Sequence, residues 1–401
     1  MKNKLYPFRT VLRFALTGVI ILSLFLGTAD YFIEDSYSCR EGVPISSAGL
    51  LQITASEDIC PVSTESSRSY QVRLLGVLPL KEIHLRTFGN TLLCPGGMPF
   101  GAKIFTNGLI VVGFTEIDCT SGSKQPALDA GIHVKDIILE INEKPINGVE
   151  DLAEYIGTCD GNVLNFKLRR GEDIISLPVT PSLSLSENKY KTGMFVRDNT
   201  AGIGTVTFID PQTGEFAGLG HGICDGSSGA LLPLSRGIVM DVTISGVQKG
   251  TSGVPGELKG FFSSGKKGTL NGNSDAGVFG VLSVLPIGVS EETAIPIALK
   301  NEIQDGAAQI FCTLDESGIH AYDVTIRKIR NTPDNKNMEV IVTDPRLIEK
   351  TGGIVQGMSG SPILQNGRIV GAVTHVLVND PTRGYGIFIE NMLEAAGNSI
   401  N

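Results

Sequence analysis

The chain has 401 residues, enough for two or three domains with buried cores. Its 33 basic and 42 acidic residues give a net charge of −9, and no basic stripe with interleaved aromatics occurs, which argues against a nucleic-acid partner. With 49 glycines, no tryptophan and short β-branched runs alternating with glycine turns, a mainly β protein is expected.

Lys2, Lys4, Arg9 and Arg13 form a basic flank, residues 1–13, ahead of an apolar run at 14–29. Basic residues before an apolar segment stay in the cytoplasm, so a signal anchor is expected, with everything after Asp30 across the membrane. Gly27-Thr28-Ala29 resembles a cleavage site only weakly, and an uncleaved anchor is favoured over a removed signal peptide. Residues 30–95 are polar and Ser-rich, with alternation around Tyr70 to Val77, and read as a tether with short strands.

Residues 96–180 form a better-defined module. Strands are expected at Ala102–Phe105 and Leu109–Phe114, a short helical turn from Pro126, a strand from Val134 to Asn142, a helix from Val149 to about Cys159 and a strand over Val163–Arg169. The order Ala127-Leu128-Asp129-Ala130-Gly131-Ile132, then Lys135-Asp136-Ile137-Ile138-Leu139-Glu140-Ile141-Asn142, then Pro145-Ile146 resembles a PDZ domain of the permuted bacterial kind. That resemblance implies a groove in which a peptide adds as a strand, with Gly97, Met98, Pro99, Phe100 and Gly101 as its loop.

A Ser-rich linker, 181–188, leads into residues 189–401, a succession of short strands and glycine turns. Strands are expected at Gly202–Ile209, Gly237–Val247, Gly277–Val284, Gly306–Phe311, His320–Ile326, Met338–Val342 and Ile369–Val376, with a last helix from Glu390. The Gly-Ser segment Ser263–Asn273 reads as flexible loop, with no Gly-Lys-Ser/Thr to mark a phosphate site.

Within this region Gly357-Met358-Ser359-Gly360-Ser361-Pro362 places a serine between glycines in a tight turn before an apolar strand. Attack on a carbonyl needs backbone N–H groups aimed at the developing oxyanion, and glycine permits that backbone; the donors would be Gly357 and Ser359. A serine hydroxyl also needs a base. Of five histidines, His221, set between Gly220 and Gly222 after a strand, is the best candidate, and His375 the reserve. Asp225, Asp241 and Asp344 are all candidates for the carboxylate that orients the base, and local chemistry does not choose among them. The seven cysteines, Cys39, Cys60, Cys94, Cys119, Cys159, Cys224 and Cys312, are scattered and lack a C-x-x-C, so neither a zinc site nor a dense disulfide framework is suggested. A Cys39–Cys60 bridge stays open for an oxidising compartment. No metal or cofactor is expected, because His and Asp do not cluster at ligand spacing.

Basic flank and anchor, PDZ-like module, Gly218-Leu219-Gly220-His221-Gly222, Val342-Thr343-Asp344-Pro345 and Gly352-Gly353-Ile354-Val355-Gln356-Gly357-Met358-Ser359-Gly360-Ser361-Pro362 together resemble the stage IV sporulation protein B family of spore-forming Firmicutes. The resemblance implies a PDZ-linked serine endopeptidase with a chymotrypsin-like double β-barrel, with Ser359 as nucleophile, His221 as base and Asp344 as orienting carboxylate. It implies protein substrates: the chain's own N-terminal segment, and the regulatory subunit of an intramembrane protease complex whose cleavage leads to mother-cell sigma factor activation. The expected location is the space between the forespore and mother-cell membranes, anchored or released by N-terminal cleavage. The alternative is a membrane-anchored PDZ scaffold without catalysis.

Overall fold

The structure, a computed structural model, describes residues 17, 33, 36–41, 51–55, 67–146, 148–226, 229–330, 332 and 334–400. The expected anchor at 14–29 lies outside them apart from Thr17, as does Cys60. Among the described residues no helix is long and apolar enough to cross a membrane, and the six described cysteines are free thiols. The chain divides into two units, residues 1–91 and 92–401.

The first unit holds a four-stranded sheet where a tether with short strands is expected. Ser36–Arg40 lies parallel to Leu78–Phe88, which pairs with Ser67–Leu74, which pairs with Leu51–Ala55. The central hairpin turns at Leu75 and Gly76, with φ of +52° and +73°, and Val77 N–H closes it on Leu74 O at 3.1 Å. Two positive φ angles are what a type I′ turn needs to follow the twist of its strands.

In the second unit six strands close a first barrel in the order Pro99–Phe114, Arg236–Gln248, Glu257–Ser274, Gly277–Leu282, Glu215–Gly218 and Met194–Ile209, the last pairing back onto the first. A second barrel closes through Gly306–Thr313, Ile319–Arg327, Met338–Val342, Asp380–Phe388, Arg368–Leu377 and Pro362–Gln365. Alternation along these strands turns Phe100, Ile104, Phe216, Val239 and Val278 into the first core and Ile310, Val324, Val340, Val373 and Phe388 into the second. The mainly β, double-barrel expectation therefore holds.

The PDZ-like module extends the first barrel's sheet through Ile137–Ile141, Leu164–Arg170 and Asp173–Val179, with helices Pro126–Asp129 and Val149–Gly157 over Leu109, Ile138, Phe166 and Leu168. One correction concerns its groove. Residues 102–105 and 109–114 are one strand, Pro99–Phe114, whose first half is barrel and whose second half is module. At the crossing Gly108 sits at φ +97°, and a Cβ there would stand 2.3 Å from Ile138 O. Gly101 pairs with both Ile203 and Met240, and Phe100 is buried edge-on against Phe216 at 5.6 Å. Gly101 is thus laddered on both edges, Pro99 and Phe100 pair with Thr205 and Gly204 on one edge, and Gly97 and Met98 bond Val206, so the expected groove loop is built into the barrel rather than standing free. The partner strand Met194–Ile209 has the same double role, its residues 194–197 lying beside 110–114 and 199–205 beside 99–105.

A second correction concerns Ser263–Asn273, which is not loop but part of the strand Glu257–Ser274, laddered on both sides. Its glycines fit a tight sheet: a Cβ on Gly268 would stand 2.4 Å from Val281 O.

Asp136, 1% exposed, accepts from Arg170 Nη2 at 2.7 Å, from Arg170 Nε at 2.8 Å and from the His133 amide at 2.8 Å. Arg170→Ala strands a buried carboxylate and should cost about 3 kcal/mol in denaturant unfolding. Lys167→Ala, which removes the half-exposed pair with Glu140, should cost no more than about 0.5 kcal/mol.

Candidate active site

The loop that carries Ser359 follows the helix Pro345–Thr351, which stops at Gly352 in the left-handed region, φ +79°. Two tight turns come next. Met358 N–H closes on Val355 O at 3.1 Å around Gly357, φ +95°, and Ser361 N–H closes on Met358 O at 2.9 Å around Gly360, φ +94°. Each glycine stands at the third position of its turn, where a type II turn demands positive φ. Among the described residues, neither the Gly357 nor the Ser359 amide donates a hydrogen bond, so both expected oxyanion donors are available.

His221 is delivered by the strand Glu215–Gly218 and a γ-turn in which Gly220 N–H bonds Gly218 O at 2.8 Å. Leu219, at the turn's centre, holds φ +66° as a buried non-glycine residue. That strain is maintained by packing, as is common where function fixes the backbone. His221 Nδ1 lies 2.9 Å from Gly222 O. A carbonyl only accepts, so Nδ1 carries the proton of that bond and Nε2 is left as the basic nitrogen. Burial pushes the His221 pKa down, against a smaller upward pull from the Gly222 carbonyl.

Ser359, His221 and His375 line one cavity of about 350 Å³ with Ile203, Leu219, Ile354, Val355 and Val376. The imidazoles of His221 and His375 are 5.0 Å apart between ring centres. His375 is pushed down to about 4, first by desolvation and then by the charge of His221, so both rings are neutral near pH 7. Ser359 Oγ donates to Thr374 O at 2.7 Å, its resting partner. A second cavity of about 850 Å³ adjoins the first at His221 and His375 and carries Arg197, Asp275 and Lys336 on its walls. His84, bonded to Ser69, and His320, bonded to Ser317, are engaged elsewhere, and His133 lies in the PDZ-like module.

The three candidate carboxylates are not brought to His221 as bonding partners. Asp344, expected to orient the base, is the N-cap of Pro345–Thr351: it accepts from the Arg346 amide at 2.9 Å, from Arg346 Nη2 at 2.7 Å and from the Asp323 amide at 3.3 Å. The Arg346 side chain, foremost among these, holds its carboxyl down at about 2. Asp241 pairs with Lys267 at 2.8 Å on the surface, and Asp225 lies buried 3.9 Å from Arg197. The orienting contact on His221 is the Gly222 carbonyl, which no sequence motif could announce. Thr205 and Thr207 were also missed, although two threonines on the buried face of an apolar strand are a visible signal that a polar partner waits inside.

If Asp344 serves the helix rather than the base, Asp344→Asn should lower the melting temperature yet leave serine reactivity of the folded protein within about tenfold. A loss of about 10⁴, the cost of removing an orienting carboxylate, would place Asp344 in the catalytic chain.

Comparison with known proteins bears on this site. The M. tuberculosis Rv3671c protease in its active form is 15% identical, with a TM-score of 0.28, over 50% of this chain and 75% of that one. The HtrA-type protease AlgW with a decapeptide is 12% identical, with a TM-score of 0.31, over 53% and 54%. The PDZ domain of an SdrC-like protein from Listeria monocytogenes is 17% identical, with a TM-score of 0.20, over 24% of this chain and 93% of that domain. A putative zinc metalloprotease of Bartonella henselae is 26% identical over 116 residues, 28% of this chain, and the match spans about a third of that protein, 31%. The family described as SpoIVB peptidase S55 matches residues 188–393, just over half of the chain, with Ser359 and His221 inside the match. The chain belongs to the SpoIVB peptidase S55 family and is a serine peptidase.

Proposed function

We propose that the protein is an endopeptidase in which Ser359 attacks the scissile carbonyl, His221 Nε2 takes the serine proton, and the amides of Gly357 and Ser359 receive the oxyanion. The observation that carries the reading is the pair of undonated amides beside a serine and two neutral imidazoles in one cavity. In the resting state the Ser359 hydroxyl donates its hydrogen bond to Thr374 O. Catalysis then requires a turn of the side chain towards His221, after which the imidazolium passes the proton to the leaving amine and water hydrolyses the acyl-enzyme. Besides Ser359, Gly357, the two imidazoles, Gln356 and Thr374, the cavity is lined by Ile203, Leu219, Ile354, Val355 and Val376, and no Asp, Glu, Lys or Arg lines it. A compact aliphatic residue on the acyl side of the cut bond suits this lining.

The finer reading places this activity in sporulation signalling, on an anchor formed by residues 14–29, in the space between forespore and mother-cell membranes. There it cuts its own N-terminal segment and the regulatory subunit of an intramembrane protease complex. Its support is the family membership and the basic-then-apolar N-terminus. The serine's resting bond to Thr374 suits the second reading, a PDZ scaffold without catalysis.

Full-length protein should label with a fluorophosphonate and shorten from its N-terminus, while Ser359→Ala does neither. His221→Ala should slow labelling by about 10³-fold, within the range of general-base effects, and His375→Gln by less than about tenfold. Wild type that neither labels nor shortens would establish the scaffold. Because His221 must be neutral to accept the proton and its pKa is lowered, the acidic limb of the labelling rate should fall below the ordinary value of about 6.5. A midpoint above it would contradict the assignment. Peptides with Val or Ala before the cut bond should outcompete those with Lys, Arg or Asp there.

A further inference from the structure

Every carbonyl from Gln356 to Gly360 is turned onto a donor, and that pattern is what leaves the amides of Gly357 and Ser359 facing the cavity. Gln356 O accepts from the Leu258 amide at 2.8 Å, and Met358 O from the Ser361 amide at 2.9 Å and hydroxyl at 2.6 Å. The other three carbonyls are held by a single strand of the first barrel. Thr205 Oγ donates to Gly357 O at 2.8 Å, the Thr205 amide to Ser359 O at 2.9 Å, and Thr207 Oγ to Gly360 O at 2.8 Å. Thr205 is 2% and Thr207 0% exposed, so water cannot replace either hydroxyl.

We propose that Thr205 and Thr207 are positioning residues that hold the nucleophile loop in its oxyanion-binding form. The proposal rests on Ser359 being the nucleophile. Its physical content is a choice between two turns. Rotation of the Gln356–Gly357 peptide would convert a type II turn into a type I turn and put a carbonyl where the Gly357 N–H now points. That rotation would swing Gln356 O off the Leu258 amide, and Thr205 Oγ, by fixing Gly357 O on the following peptide, removes the compensating movement of that peptide that would let the loop follow the flip. Thr207 does the same at the far side of Ser359, where Gly360 leaves the loop. The two residues are alternate positions of Met194–Ile209 on the face towards the loop, with Val206 between them turned into the barrel core, so one strand sets both anchors at its own spacing. Loss of a hydroxyl strands a buried carbonyl and frees the loop, while substrate contacts elsewhere in the cleft are unchanged. The effect is therefore on the transition state rather than on ground-state binding.

The test uses the full chain with Thr205→Val and Thr207→Val, which keep shape and remove the hydroxyl, beside Thr205→Ser and Thr207→Ser, which keep it. Fluorophosphonate labelling counts competent sites, and kcat and KM are then measured per labelled site on a Val-containing peptide. The Val variants should lose about 10- to 100-fold in kcat, the scale of a misplaced or missing oxyanion donor, with KM within about twofold. The affinity of a peptidyl aldehyde, which forms an oxyanion on Ser359, should fall in step with kcat, and the Ser variants should regain most of both. Val variants with wild-type kcat would overturn the proposal alone. So would Ser variants as impaired as Val, since the methyl packing and not the hydroxyl would then matter. A wild type that fails to label would instead sink the nucleophile reading, and this proposal with it.

Discussion

The site depends on how closely the loop that carries Ser359 approaches the first barrel. A Cβ on Gly360 would stand 2.0 Å from Thr205 O and 2.4 Å from the Leu219 amide, so no other residue fits there without moving backbone. That contact brings together the loop that carries Ser359, the strand that carries Thr205 and Thr207, and the strained turn that carries His221. Each would be ordinary alone. Packed at this distance, the strand holds the carbonyls of Gly357, Ser359 and Gly360, while among the described residues the amides of Gly357 and Ser359 donate to nothing.

The strand Met194–Ile209 extends the same constraint to the PDZ-like module. Its first four residues pair with that module, its middle runs along the larger cavity through Thr200, Ala201 and Ile203, and its end anchors the loop. The module is thus not a bead joined by a linker. It shares two continuous strands with the barrel, Pro99–Phe114 and Met194–Ile209, which boundaries at 96, 180 and 189 assign whole to one side or the other.

What could be read from the sequence was what glycine writes into it. Gly357, Gly360 and Gly220 mark positions of positive φ around Ser359 and His221, and a positive φ leaves a local trace. The double barrel was legible for the same reason, through alternating runs punctuated by turns. What failed was everything that depends on a partner far along the chain. Gly97 to Gly101 alternates like any strand, and nothing local says that Ile203 and Met240 flank Gly101. Ser263–Asn273 looked too glycine-rich for a strand, but at Gly268 a neighbouring backbone comes within reach of a Cβ. Asp344 was favoured over Asp225 and Asp241 as the orienting carboxylate only by the family resemblance. Yet Asp344-Pro345 before a helix, with Gly352 after it, is the signature of an N-cap, a first-turn proline and a C-terminal glycine.

The account stands on where an oxyanion would sit. The most direct measurement is a crystal structure of the protein after reaction with a peptidyl phosphonate, whose phosphoryl oxygen stands in for the oxyanion of the tetrahedral intermediate. The account expects phosphorus on Ser359 Oγ, with that oxygen about 2.7–3.1 Å from the amides of both Gly357 and Ser359 and His221 Nε2 facing Oγ. A phosphoryl oxygen turned away from both amides, or His375 in place of His221 against the serine, would contradict it.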